Sequence, residues 1–162
     1  MTKRGFTLIE TLVYLALFVL LVFGALSSLY AMQGASARII ASATITDEAQ
    51  FVLHTIRWYV ANSSTVTTPL PDSVDGMLVL TMSGGDVLFD RIGASLVRSH
   101  AGTNLPVTGS VQVSDLSFVR SPLSVDGSSS FIISFSMTAR ATTGQLMSEH
   151  FTDTLYLPAP AL

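Results

Sequence analysis

The chain has 162 residues, a formal charge of −3, no cysteine, 12% charged residues and a mean hydropathy of +0.55. That length allows one ordinary domain, or a smaller domain plus an attached segment, and a charged fraction about half the usual ~25% excludes a disordered chain and points toward a membrane. The absence of cysteine excludes a disulfide framework, a thiolate metal site and a thiol nucleophile, and the acidic balance leaves no electrostatic footprint for nucleic acid.

The first element is apolar. From Phe6 to Met32 the only ionisable group of ordinary consequence is Glu10, and Leu12 to Leu26 reads Leu-Val-Tyr-Leu-Ala-Leu-Phe-Val-Leu-Leu-Val-Phe-Gly-Ala-Leu. A helix of this length, rising 1.5 Å per residue, spans the ~30 Å hydrocarbon core of a bilayer. Lys3 and Arg4 precede the run and the next positive charge is Arg38, so the positive-inside bias places the N-terminus in the cytoplasm and everything after the helix outside. Three readings compete for this segment: a cleaved secretory signal, a plain anchor, and a more specialised device. Ala35-Ser36-Ala37 passes for a signal-peptidase site, but the run is longer than the ~7 to 15 residues of a signal core. A carboxylate within the run costs roughly 2.5 to 3.5 kcal/mol on insertion scales. In a plain anchor Glu10 is unexplained, unless it reaches back about a turn to the headgroups.

The stretch Lys3-Arg4-Gly5-Phe6-Thr7-Leu8-Ile9-Glu10-Thr11-Leu12-Val13 closely resembles the cleavage and methylation signature of type IV prepilins and the pseudopilins of type II secretion systems. The resemblance implies that Lys3 and Arg4 belong to a basic leader spanning residues 1–5. It further implies that a membrane-embedded prepilin peptidase cuts between Gly5 and Phe6, and that Phe6 is then N-methylated. Glu10 becomes the fifth residue of the mature chain, a position that the family uses in assembly, facing the N-terminal amine of a neighbouring subunit. A carboxylate and an ammonium each stranded in an apolar bundle cost several kcal/mol, so meeting each other across a subunit boundary sets the axial register. Loss of Lys3 and Arg4 takes the formal side-chain charge from −3 to −5.

Beyond the transmembrane, assembly-forming half at residues 6–32, the helical pattern continues through an amphipathic half at 33–62. Ala31 to Ala61 holds no Pro, and Ile45, Ala49, Val52, Ile56 and Val60 recur at the 3.6-residue period. One helix from about Phe6 to about Ala61 is the simplest account. Its polar side carries Asp47, Gln50, His54 and Arg57, yet Phe51 and Trp58 lie there too. These rings either cover the edge of the domain or pack against neighbouring helices in a filament core. Asn62-Ser63-Ser64 ends the helix, and residues 63–75, with Pro69 and Pro71, read as a linker.

From residue 76 to 162 the period is 2, which predicts an antiparallel sheet domain. Met77–Met82 and Asp86–Arg91 flank Ser83-Gly84-Gly85 as a hairpin. Leu96–His100 reads as a short strand. In Val111–Arg120 the apolar parity switches, predicting a bulge near Ser114 and Asp115. Phe131–Arg140 alternates most cleanly, with Phe131, Ile133, Phe135, Met137 and Ala139 on the buried face. Phe151–Leu157 closes the sheet before Pro158 and Pro160. The expectation is an α+β, pilin-like fold: a long N-terminal transmembrane and amphipathic helix packed on a C-terminal antiparallel sheet of five or six strands.

Catalytic chemistry finds no footing in this domain. His54, His100 and His150 sit on different elements at no ligand spacing. Asp72 and Asp75 flank the linker exit, as a calcium loop does in some major pseudopilins, but two carboxylates fall well short of the usual ~6 to 8 oxygens. The reading is therefore a structural protein without metal or cofactor, whose partners are the prepilin peptidase and N-methyltransferase, other pilin or pseudopilin subunits met through their N-terminal helices, and the inner-membrane assembly machinery. Major pilins of the family often carry a Pro in the second half of the span and a disulfide-closed loop; this chain has no Pro before Pro69 and no Cys, which disfavours an adhesive pilin, while the repeated short strands with a Gly-Gly hairpin and the Leu96–Arg98 strand resemble a minor pseudopilin or minor pilin. The alternatives are a single-span anchored extracytoplasmic binding module and a domain released by signal peptidase near Ala37.

Overall fold

A computed structural model of the protein describes residues 7–122 and 129–157. Lys3, Arg4, Gly5, Phe6, Pro158 and Pro160 lie outside the described residues.

Helix α1 runs over Leu8–Asn62 without interruption. The chain divides into two compact units, residues 1–39 and 40–162. In the first unit the helix is apolar all round, and Leu8, Leu15, Phe18, Leu21 and Phe23 are each more than half exposed. A stripe on every face is what a helix needs in a non-aqueous surrounding, and this segment is long and apolar enough to cross a membrane.

In the second unit the same helix becomes one-sided. Ala41, Ile45, Ala49, Val52, Ile56 and Val60 are buried, Ile45, Ala49 and Ile56 completely, at steps of four and three residues that keep one face toward a partner. That partner is a pair of antiparallel sheets. The first has the order β1 (Thr65–Thr68), β3 (Leu78–Met82), β4 (Gly85–Ile92), β5 (Ser95–His100) and β6 (Thr103–Pro106); the second runs β2 (Ser73–Asp75), β7 (Gln112–Arg120), β8 (Ser129–Arg140) and β9 (Leu146–Leu157). Leu78, Leu80, Val87, Phe89 and Leu96 of the first sheet join Val113, Phe118, Phe131, Ile133, Phe135 and Met137 of the second in one core with the helix stripe.

Several expectations stand. The Ser83–Gly84 connection pairs Met82 with Gly85 as a hairpin, where Gly85 takes φ +112°, a left-handed value that a side chain would strain. The parity switch in β7 is a bulge: the register with β8 shifts between Ser114 and Ser117, and Asp115 adopts φ 52°. In β8 every predicted inward residue from Phe131 to Ala139 is buried.

Other expectations need correction. Residues 63–75 are not a plain linker: Thr65–Thr68 pairs with β3 and Ser73–Asp75 with β7. Both strands are short sheet edges, and Pro69 and Pro71 lie in the connection between them, where no ladder donor is needed. Among the described residues the single sheet of five or six strands is two sheets with nine strands. Strand β6 is exposed at all four positions and ends in Pro106, so it shows no alternation to read. Strand β9 starts five residues before Phe151, because Glu149 and Asp153 occupy positions of the half-buried parity and break the apolar pattern.

Those carboxylates find partners on the helix. Ser42 Oγ donates to Glu149 Oε1 at 2.6 Å, and Arg57 meets Asp153 through Nε and Nη2, both at 2.8 Å. A fork of two parallel donors orients the pair more than it stabilises it, since exposed ion pairs contribute about 1 kcal/mol or less. At the helix end, Asn62 Nδ2 donates to the Trp58 carbonyl at 2.7 Å and Ser63 Oγ to that of Val60 at 2.8 Å, satisfying carbonyls that the last turn leaves open.

Glu48 clamps the loop that leads into the second sheet. Its Oε2 accepts the Gly109 amide at 3.0 Å, and its Oε1 accepts the amide and hydroxyl of Ser110 at 2.9 and 2.5 Å. Partial burial alone would push this carboxyl up, but the hydrogen bonds from Ser110, Gly109 and Val111 outweigh it and hold it below the ordinary 4.5. A carboxyl lowered in the folded state contributes stability above its ordinary value and loses it as pH falls through the folded one. Glu48→Gln should therefore destabilise the full chain in detergent by about 1 to 2 kcal/mol at pH 7, measured by chemical denaturation. The gap from the parent should narrow as pH falls below about 4.

Candidate functional site

The N-terminal helix begins with Thr7, whose carbonyl accepts the amides of Glu10 and Thr11 at 3.0 and 3.2 Å. Thr11 Oγ1 in turn donates to the Leu8 carbonyl at 2.8 Å. Threonine at these two places satisfies polar groups of the first turn locally, within a sequence that offers few others. Glu10 sits in that first turn, where the open amides of the helix favour a negative charge. It is exposed, beside Leu8, Ile9, Leu12 and Val13, all apolar and all more than half exposed. No hydrogen bond or ion pair reaches its carboxylate among the described residues. Among the described residues the arrangement is a charge without a counter-ion, presented on a largely apolar segment of helix. In a low-dielectric surrounding such a group is strongly attracted to a cation from outside its own unit.

The two aromatic residues of the amphipathic half stand apart from the buried stripe. Phe51 is 59% exposed and Trp58 53% exposed. Trp58 meets Tyr59 edge-on with ring centroids 4.8 Å apart, and Tyr59 meets Phe89 at 5.4 Å. Trp58 therefore touches the domain edge through Tyr59, whereas Phe51 presents most of its ring outward.

The histidines are scattered over α1, β5 and β9. His100 Nδ1 lies 3.2 Å from the Asp86 carbonyl, and His150 bridges Ser136 and Thr152 at 3.1 and 3.3 Å. Asp75 Oδ1 accepts the Met77 amide at 3.2 Å, while Asp72 adopts φ 62° in the turn before β2. Among the described residues no group of three or more His, Cys, Asp or Glu side chains is placed to hold a metal ion.

Sequence reasoning missed Glu48 and the cluster of Tyr59, Arg98 and His100. Arg98 donates through Nη1 to the Tyr59 hydroxyl, and its guanidinium carbon lies 5.5 Å from the centre of the Tyr59 ring. These contacts join a helix to a strand 39 residues later. No local pattern signals such a pairing. The one available cue was that Arg98 directly follows the apolar Leu96 and Val97.

Comparison with known proteins bears on the N-terminal segment. No curated protein and no solved structure matches the chain. Residues 1–26 match the family model described as the prokaryotic N-terminal methylation motif. That match covers Glu10 and its apolar neighbours together with the basic residues before them. The chain thus carries a prokaryotic N-terminal methylation motif at its start.

Proposed function

We propose that the chain is a structural subunit of a filament of the type IV pilus or type II secretion pseudopilus kind, and a minor one. Prepilin peptidase cuts it between Gly5 and Phe6, and the new amine of Phe6 is N-methylated. Lys3 and Arg4 hold the N-terminus in the cytoplasm until cleavage, with residues 40–162 on the outer side of the inner membrane. The machinery of that membrane then draws the subunit into the filament. The match of residues 1–26 to the methylation motif carries this reading. It is supported by an exposed Glu10 on an otherwise apolar helix.

The proposal gives each singled-out residue a task. Glu10 meets the amine of a neighbouring subunit's first residue, removing two isolated charges from hydrocarbon at once. Phe51 and Trp58 face neighbouring helices in the filament core. No catalytic role is assigned to any side chain.

Two outcomes follow. Glu10→Ala should leave the amount of membrane-inserted protein unchanged but lower its recovery in sheared or pelleted filaments at least tenfold, because a stranded ammonium costs roughly 3 kcal/mol or more. Recovery equal to the parent's would contradict the pairing. Phe51→Ser with Trp58→Ser should also reduce incorporation while circular dichroism reports a folded domain, and intact incorporation by the double variant would remove the packing role.

A further inference from the structure

The end of α1 and the β3–β5 ladder enclose a groove of about 230 Å³ whose lining includes Trp58, Tyr59, Ser83, Gly84, Arg98 and His100. It would hold about eight waters at their ~30 Å³ share of the liquid, and is smaller than the roughly 300 to 1,000 Å³ of sites for drug-sized ligands. Its size suits one ring with its substituents.

The chemistry of the lining is one-sided. Among the described residues no Asp or Glu side chain borders the groove. Arg98 is half-buried, and its guanidinium is fixed against Tyr59 by the hydroxyl and by the ring face. Its Nε is buried and has no acceptor among the described residues. A buried donor without a partner is uncommon in folded proteins, and a half-buried arginine with no carboxylate on it is a cation left available for an anion. Because Tyr59 already holds the guanidinium in place, little side-chain freedom remains to be lost when an anion arrives.

Beside this cation stands a flat apolar surface. Trp58, the one tryptophan of the chain, is half exposed and is held edge-on by Tyr59. His100 is turned by its Nδ1 contact to the Asp86 carbonyl, which leaves Nε2 as its second polar atom. The Ser83 hydroxyl adds another, and a side-chain carbon added at Gly84 would meet no atom within 4 Å. A cation, an aromatic plate and hydrogen-bonding groups together match a ring that has an apolar face, several hydroxyls and one carboxylate.

We propose that this groove binds a uronic-acid unit of an acidic polysaccharide, with its carboxylate on Arg98 and the C–H face of its ring on Trp58. The site lies wholly within residues 40–162, and it is open in the unassembled subunit, before a neighbouring helix covers Trp58 in the filament.

Because Trp58 is the only tryptophan, its fluorescence reports on the groove alone. Full-length protein in detergent micelles is titrated with glucuronate, glucose, acetate and glutamate. Glucuronate should give a saturable change with a dissociation constant on the order of millimolar, and the other three should each bind at least tenfold more weakly. Arg98→Gln should weaken glucuronate at least tenfold, the loss expected for a charge-assisted hydrogen bond. Gly84→Glu, which adds a like charge in open space, should do the same while circular dichroism stays unchanged, so the test survives if Arg98→Gln fails to fold. No saturable response to glucuronate would overturn the proposal. So would equal binding of acetate, which marks a bare anion site, of glucose, which marks a site blind to charge, or of glutamate, which marks a site for acidic side chains of a protein.

Discussion

A single carboxylate on an apolar helix is the constraint on which the N-terminal half of this chain depends. Glu10 lies in the first turn of α1, its neighbours are mostly hydrocarbon, and no described residue forms an ion pair with it. Insertion scales place the penalty for such a charge at roughly 2.5 to 3.5 kcal/mol at mid-bilayer. Position in the first turn offsets part of it through the helix amides, and Thr7 and Thr11 keep that turn internally hydrogen-bonded. The remainder is a standing attraction for a cation brought by another molecule. A filament whose subunits each supply one buried anion and one terminal amine meets that requirement, and a one-residue slip would leave both unpaired.

The same helix then changes chemistry without a break. Up to residue 39 its apolar residues face all directions; from Ala41 they collect into the stripe ending at Val60, and two sheets close over that stripe. The flanks of the helix are polar and specific. Glu48 holds the loop before β7, Ser42 and Arg57 hold Glu149 and Asp153 of β9, and on the other sheet Tyr59 holds Arg98 of β5. These contacts fix how the helix is seated, while the apolar core supplies most of the stability. On the second sheet, Arg120 of β7 donates to the carbonyls of Val66 and Pro69 at 2.9 and 3.4 Å, so the edge strand of one sheet is tied to the other across the crossover.

What could be read from the sequence was whatever local periodicity or a contiguous motif encodes. The helix stripe, the hairpin at Ser83–Gly84, the alternating face of β8 and the bulge at Asp115 all come from spacing within about ten residues. The N-terminal signature around Glu10 is equally local. The short edges β1, β2 and β6 escaped because edge strands need neither alternation nor apolar side chains, and the first part of β9 escaped because its polar residues at the half-buried parity are satisfied by a helix some hundred residues earlier. The division into two sheets and the groove beside Trp58 are tertiary, set by strand register such as Phe89 opposite Arg98. Of the singled-out residues, Phe51 and Trp58 were read as equivalent, but the fold distinguishes them: Trp58 leans on Tyr59 and borders a groove, whereas Phe51 faces outward.

The central claim is that the first residues of this chain are a processed leader. It is tested most directly by the intact mass and N-terminal residue of the protein recovered from membranes, with and without a co-expressed prepilin peptidase. The account predicts loss of Met1 to Gly5 only when the peptidase is present, and a mature chain that begins at Phe6 and carries one added methyl group on its amine. An uncut N-terminus in both preparations would contradict it, as would a chain beginning near Gln33 or Ile39.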